Sequence, residues 1–343
     1  MKHKKLLFFS SGASIVALII LIVIYKSLFG INIIAGKKSQ VIYIPTGSSY
    51  EQVLDTLESK LIIKNRNILN WISKKKHYPA LIKPGRYDID KNLSYNGLIN
   101  ILRSGKQSPV NITFSNLQTL NQIAGKIGRQ IEADSTQIIT FLSDDANYIK
   151  DGFKKENVIS VFIPNTYEFY WNTDAKGLYN RMLKEYRLFW NDQRLTKAKE
   201  NGLDQKEVSI LASIIDNEAA RSEEKPRIAG VYINRLKRGI PLQADPTIIF
   251  ALNDISITRV LKKYLHIDSP YNTYEHSGLP PGPIGCATID GIDAVLNAEK
   301  HDWLYFAARA DFSGFHNFSR TLADHNKYAL LYQKELDKRK IFK

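Results

Sequence analysis

Glu218 is the carboxylate best placed for chemistry. It closes the run Glu207-Val-Ser-Ile-Leu-Ala-Ser-Ile-Ile-Asp-Asn-Glu218, whose apolar spacing predicts a helix with Leu211, Ile214 and Ile215 on one buried face. Seven residues after Leu211, Glu218 shares that stripe. Desolvation there would raise its pKa toward that of a useful general acid. Asp216, two residues earlier, points around the opposite side, so these two carboxylates cannot flank one bond. The residues alone favour a different account, in which Glu218 forms a buried ion pair with Arg221 or Arg227. Metal chemistry has little support, because His316 and His325 are nine apart with no HExxH or comparable ligand cluster. Both read as structural or as cleft hydrogen-bonding groups. The single cysteine, Cys286, makes no intramolecular disulfide and supplies no zinc cluster, so it reads as a packed small residue.

The elements that must hold Glu218 follow from pattern. After it, Glu223 and Glu224 suit a helix N-terminus, and Ile228, Val231, Tyr232 and Leu236 predict an amphipathic helix closed by Lys237, Arg238 and Gly239. Two helices would thus underlie a cleft. Three polar, rigid stretches follow as loops: Leu242-Gln-Ala-Asp-Pro-Thr247, Tyr271-Asn-Thr-Tyr274 and Gly278-Leu-Pro-Pro-Gly-Pro283. Upstream, helical stretches are predicted near 120 to 132, 136 to 143 and 176 to 191. The aromatic segment Phe162-Ile-Pro-Asn-Thr-Tyr-Glu-Phe-Tyr-Trp171 could line a sugar cleft or simply pack. Earlier still, a strand at Val41-Ile-Tyr-Ile-Pro45, helices capped near Thr46-Gly-Ser-Ser49 and at Ser94, a helix from about Asn65, and a strand Arg86-Tyr-Asp-Ile89 predict a small α+β module. Gly105 stops its last helix, and the domain joint falls near Lys106 to Val110.

Leu6 to Tyr25 holds no charge, and as a helix it would be about 30 Å long, enough to span a bilayer. Lys2, Lys4 and Lys5 flank it on one side and Lys26 on the other, so residues 1–5 are expected in the cytoplasm and the chain after Phe29 outside. The apolar run exceeds a signal-peptide core and no small-x-small cleavage pattern follows closely, which favours a retained anchor over residues 6–29. Residues 30–40 form a tether. The remainder, with 44% hydrophobic and 24% charged residues overall, has an ordinary globular balance. A formal net charge of +14 admits nucleic acid, anionic lipid or an acidic polymer as neighbour. An outward-facing chain argues against nucleic acid, and lysines that merely solvate the surface explain the charge equally well.

Taken together, Ala212-Ser-Ile-Ile-Asp-Asn-Glu218, Tyr232-Ile-Asn-Arg-Leu236, Leu242-Gln-Ala-Asp-Pro-Thr247, Tyr271-Asn-Thr-Tyr274, Gly278-Leu-Pro-Pro-Gly282 and His316-Asn-Phe318 with His325-Asn326 resemble, in order and spacing, the motif series of the MltG (YceG-like) endolytic murein transglycosylases. Pro45-Thr-Gly-Ser48, Lys83-Pro-Gly-Arg-Tyr87 and Ser104-Gly-Lys106 are similar to that family's LysM-like domain. The resemblance implies a LysM-like module over 41–108, a mainly helical catalytic domain with short strands over 109–343, and an α+β fold behind one transmembrane helix. It implies Glu218 as the catalytic glutamate. One departure is visible: relatives usually carry Glu-Gly ahead of Pro-Asp-Thr-Tyr, where this chain has Ile159-Ser160 and Pro164-Asn-Thr-Tyr167.

A lytic transglycosylase needs one group that protonates the glycosidic oxygen and then takes a proton from the muramic acid C6 hydroxyl as it attacks C1. A lone glutamate suffices, with no cofactor and no metal. Gln243, Asn272 and Tyr274 are candidate substrate-binding groups, with loop-fixing roles as the alternative. Asp245, also a candidate, precedes a proline and is expected to fix its own turn. Two competing readings are a glycan hydrolase, which would need a second carboxylate such as Asp245, and a non-catalytic wall-binding scaffold. The resemblance further implies nascent peptidoglycan glycan strands as substrate, penicillin-binding proteins as partners, and a single-pass protein of the cytoplasmic membrane with its catalytic domain outside.

Overall fold

The computed structural model describes residues 16–339 apart from 27, 36–38, 90–91, 116, 255 and 258–259. The fold is α+β and mainly helical, and every sheet among the described residues is two-stranded. Residues 16–26 form helix α1, whose apolar side chains, Leu18 and Ile20 among them, stand exposed. No helix of the described residues is long and apolar enough to cross a membrane. The span expected at 6–29 starts within residues 1–15, so part of it lies outside the described residues.

The chain divides into two compact units. One runs to Asn111 and also takes in Gln130–Ala133 and Glu168–Thr173. It contains β1 (Ile33–Ile34), β2 (Gln40–Ile44), α2 (Tyr50–Lys60), β3 (Ile62–Ile63), α3 (Arg66–Lys75), β4 (Gly85–Ile89) and α4 (Tyr95–Ser104). Strand β1 pairs antiparallel with β3, and β2 with β4 in the register Tyr43 to Arg86. Each helix starts on a side chain that accepts from an unpaired backbone N–H: Ser49, Asn65 and Ser94. Gly105, at φ 71°, ends α4 in the left-handed region where a Cβ would be strained. Ile42, Ile44, Leu54, Leu57, Leu98 and Ile99 form the centre of one apolar core. The two later segments pack on the same unit: Glu132 accepts from Thr46 N (2.6 Å) and Oγ1 (2.7 Å), and Trp171 lies 5.0 Å from Tyr43 between ring centroids.

The second unit comprises Ile112–Arg129, Asp134–Tyr167 and Asp174–Lys343. The chain crosses from the first through β5 (Val110–Thr113), continues in α5 (Leu120–Ile127) and α6 (Ser135–Leu142), and passes β6 (Thr166–Phe169). Then come α7 (Ala175–Phe189), α8 (Asp192–Glu200), α9 (Gln205–Glu218), α10 (Lys225–Lys237), α11 (Asp245–Leu252) and α12 (Ile289–Leu296), followed by the hairpin of β7 (Tyr305–Ala308) and β8 (His316–Ser319), and α13 (Leu322–Lys338). Of the aromatic segment, Phe162, Tyr167 and Phe169 are buried and Tyr170 is exposed, so most of it is core. Ile159 and Ser160, at the departure from the usual Glu-Gly, are buried in a short 3-10 turn.

Helix α9 is the central element of this unit. Asp204 and Glu207 form a reciprocal capping box at its start, and Val208, Leu211, Ala212, Ile214 and Ile215 are buried along it. Near its end Asp216 turns away from the site and into a polar lock. It accepts from Lys225 Nζ (2.8 Å), Thr288 N (2.7 Å) and Thr288 Oγ1 (2.8 Å), while Lys225 also reaches Asp290 (2.7 Å). Lys225 starts α10 and Thr288 caps α12, so one carboxylate ties three helices together. Gly291 permits the approach, because a Cβ there would lie 2.4 Å from Asp216 Oδ1.

Candidate active site

Glu218 is the last residue of α9. Its side chain is only partly exposed, and the carboxylate sits in a recess where Tyr232 Oη donates to Oε1 at 3.2 Å. Neither arginine considered as an ion-pair partner reaches it. Arg221 donates to Ser313 O, and Arg227 pairs with Glu299 at 3.0 Å. Burial, assisted by the nearby charge of Asp245 and opposed by the Tyr232 hydrogen bond, pushes Glu218 up from 4.5 to about 7. The group is therefore poised between acid and base near neutral pH.

Asp245 does not fix its own turn. It begins α11 with no side-chain cap, and its Oδ1 accepts from Tyr274 Oη at 2.5 Å, a contact 29 residues away in sequence. Burial raises its pKa and that hydrogen bond lowers it, with a net rise. Tyr274 in turn is held well above the ordinary phenol range by burial and by Asp245, so it remains a donor. Asn272 is completely buried: its Nδ2 donates to Leu265 O and Ile267 O, both at 2.9 Å, and its Oδ1 accepts from Tyr274 N at 3.0 Å. It shapes the loop that presents Tyr274. Thr273 Oγ1 accepts from Ala244 N (3.0 Å) and meets Thr247 Oγ1 at 2.8 Å, which ties the two loops together. Gln243 is exposed and has φ 52°.

Two groups at the site were not singled out from the sequence. Tyr232 reads as one more apolar position of an amphipathic helix, yet its buried hydroxyl touches Glu218. Arg235 lies one turn on, where a charged residue on a buried face was the available signal. It is 7% exposed and donates to Leu304 O (2.6 Å), Pro241 O (3.1 Å), Leu242 O (2.9 Å) and Gln243 Oε1 (3.3 Å). Its guanidinium lies 5.0 Å from the Tyr305 ring centroid. His316 belongs to a neighbouring structural pair. Its Nδ1 meets Glu224 Oε2 at 2.8 Å, and Glu224 is buried against the start of β8. Cys286 is half-buried, and burial pushes its thiol up to about 12, consistent with inert packing. No group of three or more His, Cys, Asp or Glu among the described residues is placed to hold a metal ion.

A recessed carboxyl group with one phenol donor, beside a second carboxylate held by another phenol, can deliver and recover a proton at an acetal oxygen. Comparison with known proteins shows the family. The model of the YceG-like family matches residues 42–330. An endolytic murein transglycosylase of Bacillus subtilis is 32% identical over 308 residues, covering 85% of this chain and 84% of that protein. One from Streptococcus pneumoniae is 31% identical over 308 residues, 80% of this chain and 55% of the longer pneumococcal protein. A crystal structure of a yceG-like protein from Listeria monocytogenes aligns with TM-score 0.56 at 28% identity, covering 85% of this chain and 99% of that one.

Proposed function

The chain belongs to the YceG-like family, and on that premise we propose that it is a membrane-anchored endolytic lytic transglycosylase with Glu218 as its acid/base. The observation that carries the reading is the state of Glu218: a recessed carboxyl with a pKa near 7 and a single phenol donor. Protonated, it donates to the oxygen of the MurNAc-GlcNAc bond as C1–O breaks and positive charge develops at C1. As carboxylate, it then takes the proton of the muramic acid C6 hydroxyl while O6 bonds to C1. The nucleophile comes from the substrate, and the strand ends in 1,6-anhydro-MurNAc. Asp245, anchored by Tyr274, is the group whose negative charge opposes early ionisation of Glu218 and offsets the charge at C1.

The other assignments rest on sequence and on the relatives. The apolar, exposed α1 and the uncharged run before it serve as a retained anchor, with the N-terminus cytoplasmic. The unit around β2 and β4 serves as a LysM-like module. Because β1 is already paired and Ile33 already buried within the first unit, residues 30–40 are largely not a free tether, and the short link that remains keeps the enzyme close to the bilayer, where nascent uncrosslinked strands and the penicillin-binding synthases that make them are found.

Asp245 also favours one rival, hydrolysis of the same bond by a two-carboxylate mechanism. Mass spectrometry of products from purified glycan decides. Anhydro ends from the wild type, and none from Glu218→Gln, are expected. Reducing ends would establish the hydrolase, and undiminished cleavage by Glu218→Gln would remove that residue from the mechanism.

A further inference from the structure

Gln243 combines two features that are individually uncommon. It is a non-glycine residue in the left-handed backbone region, at φ 52°, where the Cβ is strained. It also offers its side-chain oxygen to a buried arginine. The strained turn is held by Gln243 N donating to Thr273 O (2.9 Å), by Ala244 N donating to Thr273 Oγ1 (3.0 Å), and by Arg235 donating to the carbonyls of Pro241 and Leu242. Arg235 has no carboxylate partner among the described residues, and its other acceptors are Leu304 O and Gln243 Oε1.

That last contact fixes the orientation of the Gln243 amide. A guanidinium has donors only, so the group facing Arg235 at 3.3 Å must be Oε1. The amide nitrogen then points away from Arg235, and it has no hydrogen-bond partner among the described residues on an exposed side chain. Two residues on is Asp245, held by Tyr274, and Arg235 lies one helical turn from Tyr232, which touches Glu218. Gln243 thus presents its two amide N–H donors to solvent, on the turn that leads into α11, with its acceptor withdrawn.

Resting on the transglycosylase reading, we infer that Gln243 is the group that selects N-acetylated sugars next to the bond that is cut, and that Arg235 is its positioning residue. The Gln243 amide nitrogen donates to the carbonyl oxygen of a 2-acetamido group. That oxygen only accepts, so it matches a donor-only group. A de-N-acetylated sugar offers an ammonium, which only donates, and leaves both sides unpaired.

The test uses the full-length protein and uncrosslinked glycan strands, either fully N-acetylated or de-N-acetylated. The quantity read is the ratio of kcat/KM for the two strands and its change on substitution, because the net charge of +14 disfavours the cationic strand in the wild type and, unchanged, in Gln243→Gly and Arg235→Lys. Gln243→Gly, which relieves the strain and removes the amide, is expected to lower the preference for acetylated strands by about tenfold, mainly through KM. Gln243→Glu, near-isosteric and paired with Arg235, moves it further toward the ammonium-bearing strand. Arg235→Lys keeps the charge but loses the fork, and weakens the preference with kcat largely retained. A ratio that stays within about twofold of wild type in both Gln243 variants overturns the inference. If Arg235→Lys lowers Tm and leaves the ratio alone, Arg235 is structural and its positioning role falls. Calorimetric binding of both strands in the Glu218→Gln background reads the same preference without turnover. Preferential binding without cleavage by the wild type counts against the transglycosylase reading only, and a binding preference that Gln243→Gly leaves unchanged counts against Gln243.

Discussion

At the level of single residues the decisive quantity is where Glu218 gives up its proton. Its folded pKa of about 7 lies above its unfolded value of 4.5, so protonation favours the folded state. That contribution is complete below the unfolded value and is lost as pH rises through the folded one. Glu218→Gln should therefore match the wild type in acid and exceed it above neutrality by about 3 kcal/mol, read as a Tm difference that grows with pH. Equal Tm differences at all pH values would mean that the carboxyl is not desolvated. In the proposed mechanism the same ionisation sets the alkaline limb of activity, since the first step consumes the protonated form. Asp245→Asn removes a charge that raises the Glu218 pKa, so that limb should move to lower pH, with kcat reduced as well. A limb that stays in place would separate the two carboxylates. Helix α9 acts in the same direction as burial and Asp245: Glu218 lies at its carbonyl end with no basic residue in the last turn, and the partial negative charge there opposes ionisation.

Among the elements, those that announce themselves locally were legible in the sequence. Ser49, Ser94 and Gly105 mark helix ends by side-chain and backbone chemistry that needs no tertiary context, and the buried stripe of α9 followed from spacing alone. The partners of the Glu218 carboxyl were not legible in that way. A tyrosine on an apolar stripe looks the same whether its hydroxyl meets water or Glu218, and the Asp245–Tyr274 contact joins loops 29 residues apart that no local rule connects. Asp216 illustrates the intermediate case: its direction follows from helical geometry, its three-helix lock does not. That lock supports a prediction. Gly291→Ala would place a Cβ 2.4 Å from Asp216 Oδ1, so it should destabilise the second unit by roughly 1–3 kcal/mol, measured by chemical denaturation. A neutral result would show that α12 can shift away at no cost.

For the molecule as a whole, the first unit is assembled from three separate stretches of chain. Thr46 and Tyr43 lie in the first stretch, while Glu132 and Trp171, which they contact, arrive from the other two. A fragment ending at residue 108 would lack Glu132 and Trp171, so it should melt at lower temperature than the same unit within the full chain, as hydrogen exchange at β2 would reveal. Equal protection would make the later segments dispensable. The consequence reaches beyond stability. A contiguous module can be copied, lost or fused to another gene by a single recombination event, whereas this one cannot be lifted out intact, because part of its surface is encoded inside its neighbour. Inheritance of the two units is then coupled, and descendants of this architecture should vary by insertion at loops and ends, with exchange of the unit itself disfavoured.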